Sequence, residues 1–458
     1  MMIIEGVFDT GITQIDSYVF EVKGANSLHF TLLDGAFEHF FVLVKDPLGT
    51  LRALLSYKTR VKTYCLSTSY LHSDNYTLAG ELYDGTWSIE IVRTYPVQGG
   101  YKLQIESDLG TAEKKGKNPL LCPQSLITDK RTGWYRGDFH MHSAYTDGRV
   151  SLEEIELAAK AKQLDFISMT DHSTVTTKFP ETEFPVIPAL EITWDDEGHY
   201  NAHGLKDFPD YAYFVRSTSN KDEALDLLFR HLRAEGCLLT INHPFPYGWE
   251  LKHNYDIRSF DTLEVINAPH LLAKEVNNER AVRFFDFLWR NGHYLKAIGG
   301  SDAHKKNYFE QYPVGIPITK VYCKGLSVQN ILEAARRGNS FLQTEEDFEV
   351  LYHRPESTKK LILPGEQVEG QVALKGRCHV RVRWQLVKNG IIVQETEGRR
   401  FQSEIDIKEN EYYRLQARSF EDELLLFVNP IHNMTKKAEI CFFQDILKGF
   451  YRTEKMEG

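Results

Sequence analysis

The chain has few cysteines, and their spacing follows no motif. The six are spread over 458 residues without a CxxC pair, at Cys65, Cys122, Cys237, Cys323, Cys378 and Cys441. A disulfide framework or a cysteine-based zinc site needs clustered cysteines, so both are disfavoured. We therefore expect reduced thiols and a cytoplasmic protein.

Membrane and export signals are also missing from the sequence. It contains no apolar run long enough to span a bilayer. The first ten residues lack the basic region and the apolar core of a signal peptide. We therefore expect no membrane partner.

Positive charge is in the minority. The 54 lysines and arginines are outnumbered by 64 aspartates and glutamates, which gives a net charge of -10. A nucleic-acid-binding protein needs a basic track, and none is visible. We expect a small-molecule substrate and no nucleic-acid partner. The sequence does not indicate the oligomeric state.

The length and the pattern of β formers predict three parts. Residues 1–130 contain short runs rich in β formers, separated by turn signals, and predict a β-sandwich or jelly-roll-like domain. Residues 346–458 return to β, with Asn389-Gly390 as a hairpin signal, and predict a second β-sandwich-like domain. The polar run 113–119 is predicted to be a linker or a covering loop.

Helix signals are concentrated between residues 131 and 345. A capping box at 151–154 opens a helix that is expected to run through Ala161. Three further helices, each stopped by a glycine, are predicted over 221–235, 275–290 and 327–337. Short apolar runs lie at 166–170, 186–190, 238–241, 262–266 and 296–298. This order favours parallel strands covered by helices, either as a barrel or as a doubly wound sheet.

Histidines are concentrated in the same part of the chain. Eleven of the 17 lie from His140 to His304. His140 and His142 stand one residue apart after a strand-like run, so both imidazoles can face one metal ion. Asp147, in the turn just beyond, can serve a second ion. An H-x-H pair alone is weak, since both rings can also be packing or surface histidines.

Three more clusters of ligand-type residues follow strand-like runs. Asp171 and His172 come after 166–170, and we expect His172 to be a ligand that Asp171 orients. Glu191 can bridge two cations. His199 and His203 share a face of an extended segment, and the residues leave open which of them is the ligand.

The last clusters lie between residues 242 and 304. His243 follows a strand, and Pro244 biases it towards an extended backbone. Asp302 and His304 again stand one residue apart, after two glycines that permit close approach of the backbone. Glu264 and Asn267 are candidates for lining a substrate pocket, although Glu264 can equally be a buried paired carboxylate.

Together these motifs resemble the PHP (polymerase and histidinol phosphatase) family of metal-dependent phosphoesterases over residues 134–345. The residues that carry the resemblance are His140-x-His142, Thr170-Asp171-His172, Glu191, Asn242-His243-Pro244 and Ser301-Asp302-Ala303-His304. The segment 198–204 resembles the CehA/McbA-type branch, where the histidine after the glycine is a ligand, which favours His199 over His203. The resemblance implies an α/β fold with a distorted (β/α)7 TIM-like barrel.

The resemblance also implies two or three divalent metal ions, which can be Mn, Fe or Zn. The first would be held by His140, His142, Glu191 and Asp302. The second would be held by Asp147, His172 and His304, and a third by Glu191, His199 and His243. His203 and Asp171 remain candidates for ligands or for residues that orient them.

The expected activity is hydrolysis of a phosphate monoester or diester by a hydroxide that bridges the metals. A histidine or Asp302 would protonate the leaving alkoxide, and the catalytic candidates are Asp302, His304 and His199. Phosphate contacts are expected from cations that flank the ligand clusters, namely Arg149, Lys305 and Lys306. The same chemistry can cleave carboxyl esters, carbamates or amides, and a binding protein with a structural metal site is a further alternative.

Overall fold

The structure is a computed structural model. It describes residues 1–8, 14–35, 40–56, 58–94, 99–109, 127–195, 197–248, 250–269, 276–306, 313–344 and 346–457. The predicted linker at 113–119 and the predicted helix start at Glu275 lie outside the described residues. No helix among the described residues is both long and apolar enough to cross a membrane.

The N-terminal part contains eight strands in two antiparallel sheets. The strands are β1 (Met2–Phe8), β2 (Gln14–Val22), β3 (Ser27–Gly35), β4 (Phe40–Lys45), β5 (Leu51–Ser56), β6 (Thr63–Ser67), β7 (Gly85–Arg93) and β8 (Gly99–Asp108). One sheet has the order β1-β8-β3-β6 and the other the order β2-β7-β4-β5. A single apolar cluster joins them, with Phe30 and Leu103 from the first sheet and Trp87 and Ile89 from the second.

The central part alternates strands and helices. Its strands are β9 (Asp129–Asp138), β10 (Phe166–Met169), β11 (Val186–Thr193), β12 (His199–His203), β13 (Leu238–Ile241), β14 (Thr262–Asn267), β15 (Lys296–Gly300), β16 (Ile318–Leu326) and β17 (Ser340–Gln343). Its α-helices are α1 (Leu152–Ala161), α2 (Tyr211–Ser217), α3 (Lys221–Ala234), α4 (Asn278–Arg290) and α5 (Val328–Arg337), and a 3₁₀ turn covers Ile257–Ser259. The mixed α/β character predicted for this part is therefore present.

The helix boundaries follow the capping chemistry of the sequence. Ser151 caps α1 in a reciprocal capping box with Glu154. Ser327 caps the start of α5, and Gly338 ends that helix with a left-handed backbone at φ 74°. These local signals explain why the predicted helix ends agree with the structure to within a few residues.

The strands of the central part belong to one large mixed sheet. Its order is β15-β14-β13-β12-β11-β10-β9-β16-β17, and it continues into the C-terminal part. Strands β9, β10 and β11 are parallel, and so are β13, β14 and β15. Strand β12 pairs antiparallel with β11 and with β13. The extended segment carrying His199 and His203 is thus an inserted, reversed strand.

The first and last parallel strands of this series approach each other at their carboxyl ends. The amide of Asp302 donates to the carbonyl of His140 over 2.9 Å, and the amide of His142 donates to the carbonyl of Ala303 over 3.1 Å. Gly300 makes this approach possible, because a Cβ at that position would lie 2.2 Å from the Cβ of His140. The residues after β9 and after β15 therefore share one location.

The C-terminal part is mostly β but ends in a helix. Its elements are β18 (Phe348–Arg354), β19 (Ser357–Ile362), β20 (Gly370–Lys388), β21 (Ile391–Ile407), β22 (Tyr412–Arg418), β23 (Leu424–Val428), β24 (Ile431–His432) and α6 (Phe443–Glu457). Asn389 and Gly390 connect β20 to β21 with positive φ at both residues, as a tight hairpin requires. The sequence predicted only β structure for this part of the chain. Helix α6 corrects that prediction.

The main apolar cluster crosses both of the predicted boundaries. It includes Phe41 from the N-terminal part, Leu228 and Ile241 from the central part, and Phe427 and Phe443 from the C-terminal part. All five side chains are fully buried. The three parts are thus packed against one another through a shared core.

Candidate metal centre

The predicted ligands converge where the parallel strands of the central sheet end. His140 and His142 follow β9, while the intervening Met141 and the preceding Phe139 are buried in the apolar core. The Nε2 atoms of the two histidines are 3.1 Å apart. Two ring nitrogens that each lie about 2.1 Å from one ion are separated by about 3.0–3.4 Å, so this spacing suits a shared metal.

Glu191 lies at the middle of the site. Its Oε1 is 3.4 Å from His140 Nε2, 3.2 Å from His199 Nδ1 and 3.3 Å from His243 Nε2. Its Oε2 is 3.0 Å from His172 Nδ1. One carboxylate on β11 therefore faces imidazoles from four different segments, which is the arrangement of a bridging ligand.

Asp302 and Asp147 provide a carboxylate on either side of His304. Asp302 Oδ1 is 3.1 Å from His142 Nε2 and 3.5 Å from His304 Nδ1. Asp147 Oδ2 is 3.1 Å from His172 Nε2, and its Oδ1 is 3.4 Å from His304 Nε2. These residues connect the loops after β9, β10 and β15 into one cluster.

The site is closed on one side and open on the other. The side chains of His140 and His142 are completely buried. Those of Asp147 and His304 are each 33% exposed, and those of Asp302 and His199 are 16% and 15% exposed. A substrate can therefore reach the cluster from the side formed by these four residues.

The structure separates His199 from His203. His199 lies 3.2 Å from Glu191, inside the site. His203 is fully buried away from it, with Nδ1 2.8 Å from Ser168 Oγ and its ring edge against Phe139. Although the two rings share a strand face, only His199 reaches the ligand cluster.

His243 departs from the extended backbone that Pro244 was expected to favour. Its φ is 21°, in a region that L residues seldom adopt. The amide of His243 donates to Glu264 Oε2 over 3.0 Å, while its Nε2 lies 3.3 Å from Glu191. These two contacts fix the backbone and the ring in the orientation that the site needs.

Glu264 and Asn267 lie behind the ligands instead of lining the open side. Glu264 Oε1 is 2.9 Å from His140 Nδ1, and its Oε2 accepts hydrogen bonds from the His243 amide and from Asn267 Nδ2. Both side chains are buried. The expectation that they line a substrate pocket is corrected accordingly: Glu264 orients His140 through the ring nitrogen that faces away from the cluster.

Asp171 organises a loop and makes no hydrogen bond to the His172 ring that would orient it. Its two oxygens accept hydrogen bonds from the Ser143 amide and from the hydroxyls of Ser143, Thr146, Thr176 and Tyr76. The His172 ring is instead held by Thr193 Oγ1, 2.7 Å from Nδ1. Asp171 thus fixes the turn between His142 and Asp147.

Of the three cations expected to contact phosphate, one is already paired with a carboxylate. Lys306 forms an ion pair of 3.0 Å with Glu154 on α1. Arg149 and Lys305 are exposed next to the site, and the Arg149 amide donates to the carbonyl of His304. Arg149 therefore joins two ligand loops through its backbone.

Loops of the N-terminal part contribute residues that were not predicted from the sequence. Arg60 Nη2 donates to the carbonyl of Asp147 over 2.8 Å, and the Tyr76 hydroxyl donates to Asp171 over 3.2 Å. Asn242, also not assigned a role, donates to Glu191 Oε1 over 2.8 Å. Nothing local in the sequence signals the first two, because they reach the site from another part of the chain.

The carboxylates of the site are strongly anionic. Burial favours the neutral acid, yet the neighbouring histidines hold the pKa of Glu191 and that of Asp302 well below the ordinary values. Burial lowers the pKa of His172 to about 4, so its ring is neutral and able to act as a ligand. Lys58 adds a positive charge near His199, whose pKa is lowered mainly by burial.

The donor set fits divalent metal ions. Atoms that lie within 4.8 Å of one another form three overlapping groups: His142-Asp147-His172-His304, His140-His142-Asp302 and His140-Glu191-His243. His199 is outside these groups, although it contacts Glu191. Neutral imidazoles combined with carboxylates suit Mn, Fe and Zn. A neighbouring group, Asp195-Glu197-His253, already has the Lys221 ammonium 2.6 Å from Asp195 and 2.5 Å from Glu197.

The chain matches no protein-family model and no curated protein sequence. Among solved structures, it is similar to a two-domain protein from Bacteroides vulgatus that contains a predicted PHP-like metal-dependent phosphoesterase. The identity is 18% and the TM-score 0.37, over 67% of this chain and 98% of that one. A protein from Bifidobacterium adolescentis, whose own assignment as a metal-dependent phosphoesterase is a prediction, matches at 14% identity and a TM-score of 0.29. That match covers 43% of this chain and 94% of the other.

Proposed function

We propose that this protein is a metal-dependent hydrolase of small-molecule phosphate esters. The observation that carries the proposal is the convergence of imidazoles from His140, His142, His172, His199 and His243 around the single carboxylate of Glu191. A structural zinc site needs only four ligands and is closed to solvent. This cluster has more ligands than one ion can use, and one side of it is open.

We further propose that the strands β9–β15 form a distorted barrel of the PHP type. The hydrogen bonds between 140–142 and 302–303 support closure of the strand series at its carboxyl end. In such a barrel the loops that follow the strands meet on one face. That arrangement accounts for ligands that are as far apart in the sequence as His140 and His304. Within this proposal, residues 1–130, 131–345 and 346–458 are three domains that share a core.

Divalent metals held by the three ligand groups would supply an activated water and positive charge for the phosphoryl oxygens. The remaining roles in the reaction belong to side chains of the protein. Asp302 is ionised at neutral pH, because His140 holds its pKa low despite burial, so its carboxylate is available as a metal ligand. His199 and His304 both line the open side and are candidates for donating a proton to the leaving alkoxide. Asp147 and Asp302 raise the pKa of His304 to about 9 despite its burial, so His304 is the ring that carries a proton at neutral pH.

The N-terminal part places a cation beside the open side of the site. Arg60 is exposed and anchored to the carbonyl of Asp147, which is itself a predicted ligand. A guanidinium at that position can bind a non-bridging phosphate oxygen through its N–H groups. This placement favours a compact, anionic substrate over a long polymer.

The proposal is tested by measuring hydrolysis of p-nitrophenyl phosphate, bis-p-nitrophenyl phosphate and p-nitrophenyl acetate, with and without added Mn²⁺. We expect Mn²⁺-dependent release of nitrophenol from a phosphate ester. The better of the two phosphate substrates then distinguishes a monoesterase from a diesterase.

His140→Ala provides the matched control for this assay. The substitution removes a buried ligand and should abolish turnover while the chain remains folded, as judged by circular dichroism. Turnover of the acetate alone would contradict the phosphoesterase proposal and favour a carboxyl-ester, carbamate or amide hydrolase that uses the same cluster. Full activity of His140→Ala would refute the site assignment.

A further inference from the structure

A second cavity lies at the opposite end of the central strands from the metal centre. It has a volume of about 600 Å³, which is within the range of small-molecule sites of roughly 300–1,000 Å³. Asp261, which precedes β14, and Leu295, which precedes β15, line it. The ligands Asp302 and His304 follow the other end of β15. The cavity is therefore separate from the site described above.

Positive charge dominates the lining of this cavity. Five cationic side chains line it, and they come from α3, the 3₁₀ turn, α5 and the segment after β24: Arg233, Arg258, Arg336, Lys436 and Lys437. Asp261 is the only carboxylate among the described lining residues. The lining of the cavity is therefore positively charged, although the whole chain has a net charge of -10.

Neighbouring carboxylates compensate only part of this charge. Asp261 is 2.8 Å from Arg233, Asp256 is 2.5 Å from Arg258, and Glu333 is 3.3 Å from Arg336. Three carboxylates against five cations leave an excess of two positive charges. Glu333 is in addition shared with Arg337 at 2.8 Å.

Helix geometry explains two of these cations, and side-chain contacts explain two more: Arg258 Nε lies 2.9 Å from Asp256 Oδ1, and Lys436 Nζ donates to the carbonyl of Arg290 over 2.9 Å. Arg233 and Arg336 lie in the last turns of α3 and α5, where a positive side chain stabilises the helix dipole. Arg336 also donates to the carbonyls of Gly236 and Cys237. Arg258 and Lys437 lie outside any α-helix and are exposed. Both also line the cavity, so their charges face an anion that enters it.

We propose that this cavity binds a small organic phosphate that carries at least two negative charges. Guanidinium groups present N–H donors that match phosphate oxygens, and Arg233 and Arg258 bring two such groups to the cavity from separate elements, although a neighbouring carboxylate already holds part of each. The half-buried ring of Tyr294 adds a flat surface for an organic portion. The proposal is independent of the chemistry at the metal centre.

The test uses pyrene tetrasulfonate, an anionic fluorophore that binds metals weakly, and measures its anisotropy with the full-length protein. We expect saturable binding that inorganic pyrophosphate displaces and that weakens with added salt. The variant Arg258→Gln/Lys437→Glu should bind the dye at least about tenfold more weakly, because it loses one positive charge and reverses another. Lys23→Glu, an exposed lysine in the turn after β2, is the matched control and should leave the affinity unchanged.

His140→Ala distinguishes this cavity from the metal centre. The proposal predicts the same dye affinity in His140→Ala as in the wild type. Loss of binding in His140→Ala would place the anion at the metal centre and overturn the proposal. Equal binding by the wild type and Arg258→Gln/Lys437→Glu would also overturn it, and so would binding that pyrophosphate fails to displace.

Discussion

The position of Glu191 in strand β11 explains why its carboxylate contacts several candidate ligands at once. It lies near the end of β11 and pairs in register with Asn201 of the reversed strand β12. That pairing puts Asn242 and His199 beside its Oε1, at 2.8 Å and 3.2 Å. Glu264 stabilises this geometry, because its carboxylate contacts both the His140 ring and the His243 backbone amide. The ligand geometry therefore depends on both carboxylates.

The two histidines of β12 are expected to respond differently to substitution. His199→Ala should lower the metal content and leave the free energy of unfolding within about 1 kcal/mol of the wild type, since this ring contacts ligands at the open side. His203→Ala should keep the metal but cost roughly 2–4 kcal/mol, because it removes a buried ring and the partner of Ser168. Metal analysis and urea denaturation distinguish these outcomes. Equal metal loss in both variants would contradict the assignment.

His432 predicts a pH dependence of stability that does not involve the metal ligands. Burial, followed by the charge of Lys296, lowers its pKa to about 4. The unfolded chain binds a proton at this residue below about pH 6.5, while the folded chain stays neutral down to about pH 4. The free energy of unfolding should therefore fall as the pH falls through this window, by up to about 1.4 kcal/mol per pH unit.

The variant His432→Gln removes this titration and can still accept the hydrogen bond from the Met434 amide. Urea denaturation at about pH 7, 6 and 5 should show a smaller loss of stability on acidification than in the wild type. Other histidines titrate in both proteins, so the informative quantity is the difference between the wild type and the variant in the slope of the free energy of unfolding against pH. Equal slopes would show that His432 does not contribute.

At the residue scale, candidate ligands could be chosen from the sequence, but the residues that hold those ligands in place could not. Residue type and strand-end position were enough to select Glu191, His172 and Asp302, because the metal chemistry restricts the ligand types. The partner of each ligand was not predictable, because the sequence left the role of Glu264 open and Arg60 lies about eighty residues before the first cluster. Such contacts depend on tertiary packing alone.

At the scale of elements, helix ends were predictable and strand directions were not. The caps at Ser151 and Ser327 act through local hydrogen bonds that the sequence encodes directly. The reversal of β12 depends on pairing with β11 and β13, which no local pattern specifies. The missed helix α6 did carry a signal: Phe443, Ile446, Leu447 and Phe450 recur at helical spacing, and all are buried.

Helix α6 should be essential for stability. Phe450 is 2% exposed, and its ring lies 5.1 Å from that of Phe284 on α4 and 5.5 Å from that of Phe245. Phe450→Ala should lower the free energy of unfolding by about 3–5 kcal/mol, because it leaves a cavity in the main core.

Phe442→Ala is the matched control for this measurement, because the ring of Phe442 is 48% exposed just before the same helix. It should change the stability by less than about 0.5 kcal/mol. Urea denaturation followed by circular dichroism measures both variants. Similar stability losses in the two variants would mean that α6 does not pack as described.

At the scale of the whole molecule, the N-terminal sheets are part of the site and of the core. The Thr174 hydroxyl donates to the Leu54 carbonyl over 2.6 Å, and the ring of Phe41 lies 4.6 Å from that of Tyr211. Arg60 and Tyr76 then reach the ligand loops themselves. The composition predicted a β region here, but the sequence contains no sign of which surface it covers.

Arg60 tests whether the N-terminal part takes part in binding substrate. Arg60→Ala should lower kcat/KM for a phosphate ester by about tenfold, mainly through KM, while the metal content stays the same. Lys62→Ala, an exposed lysine of the same loop, should change kcat/KM by less than about twofold. Steady-state kinetics with metal analysis decides the matter. Unchanged kinetics in Arg60→Ala would rule out a role in binding.

The most direct test of a multinuclear metal centre is the metal content of the wild type and of Glu191→Gln after dialysis against Mn²⁺, measured by inductively coupled plasma mass spectrometry. We predict about two or three ions per chain in the wild type and at least one fewer in Glu191→Gln, with the circular dichroism spectrum unchanged. One ion or none in the wild type, or equal content in both proteins, would contradict the account of Glu191 as the shared ligand.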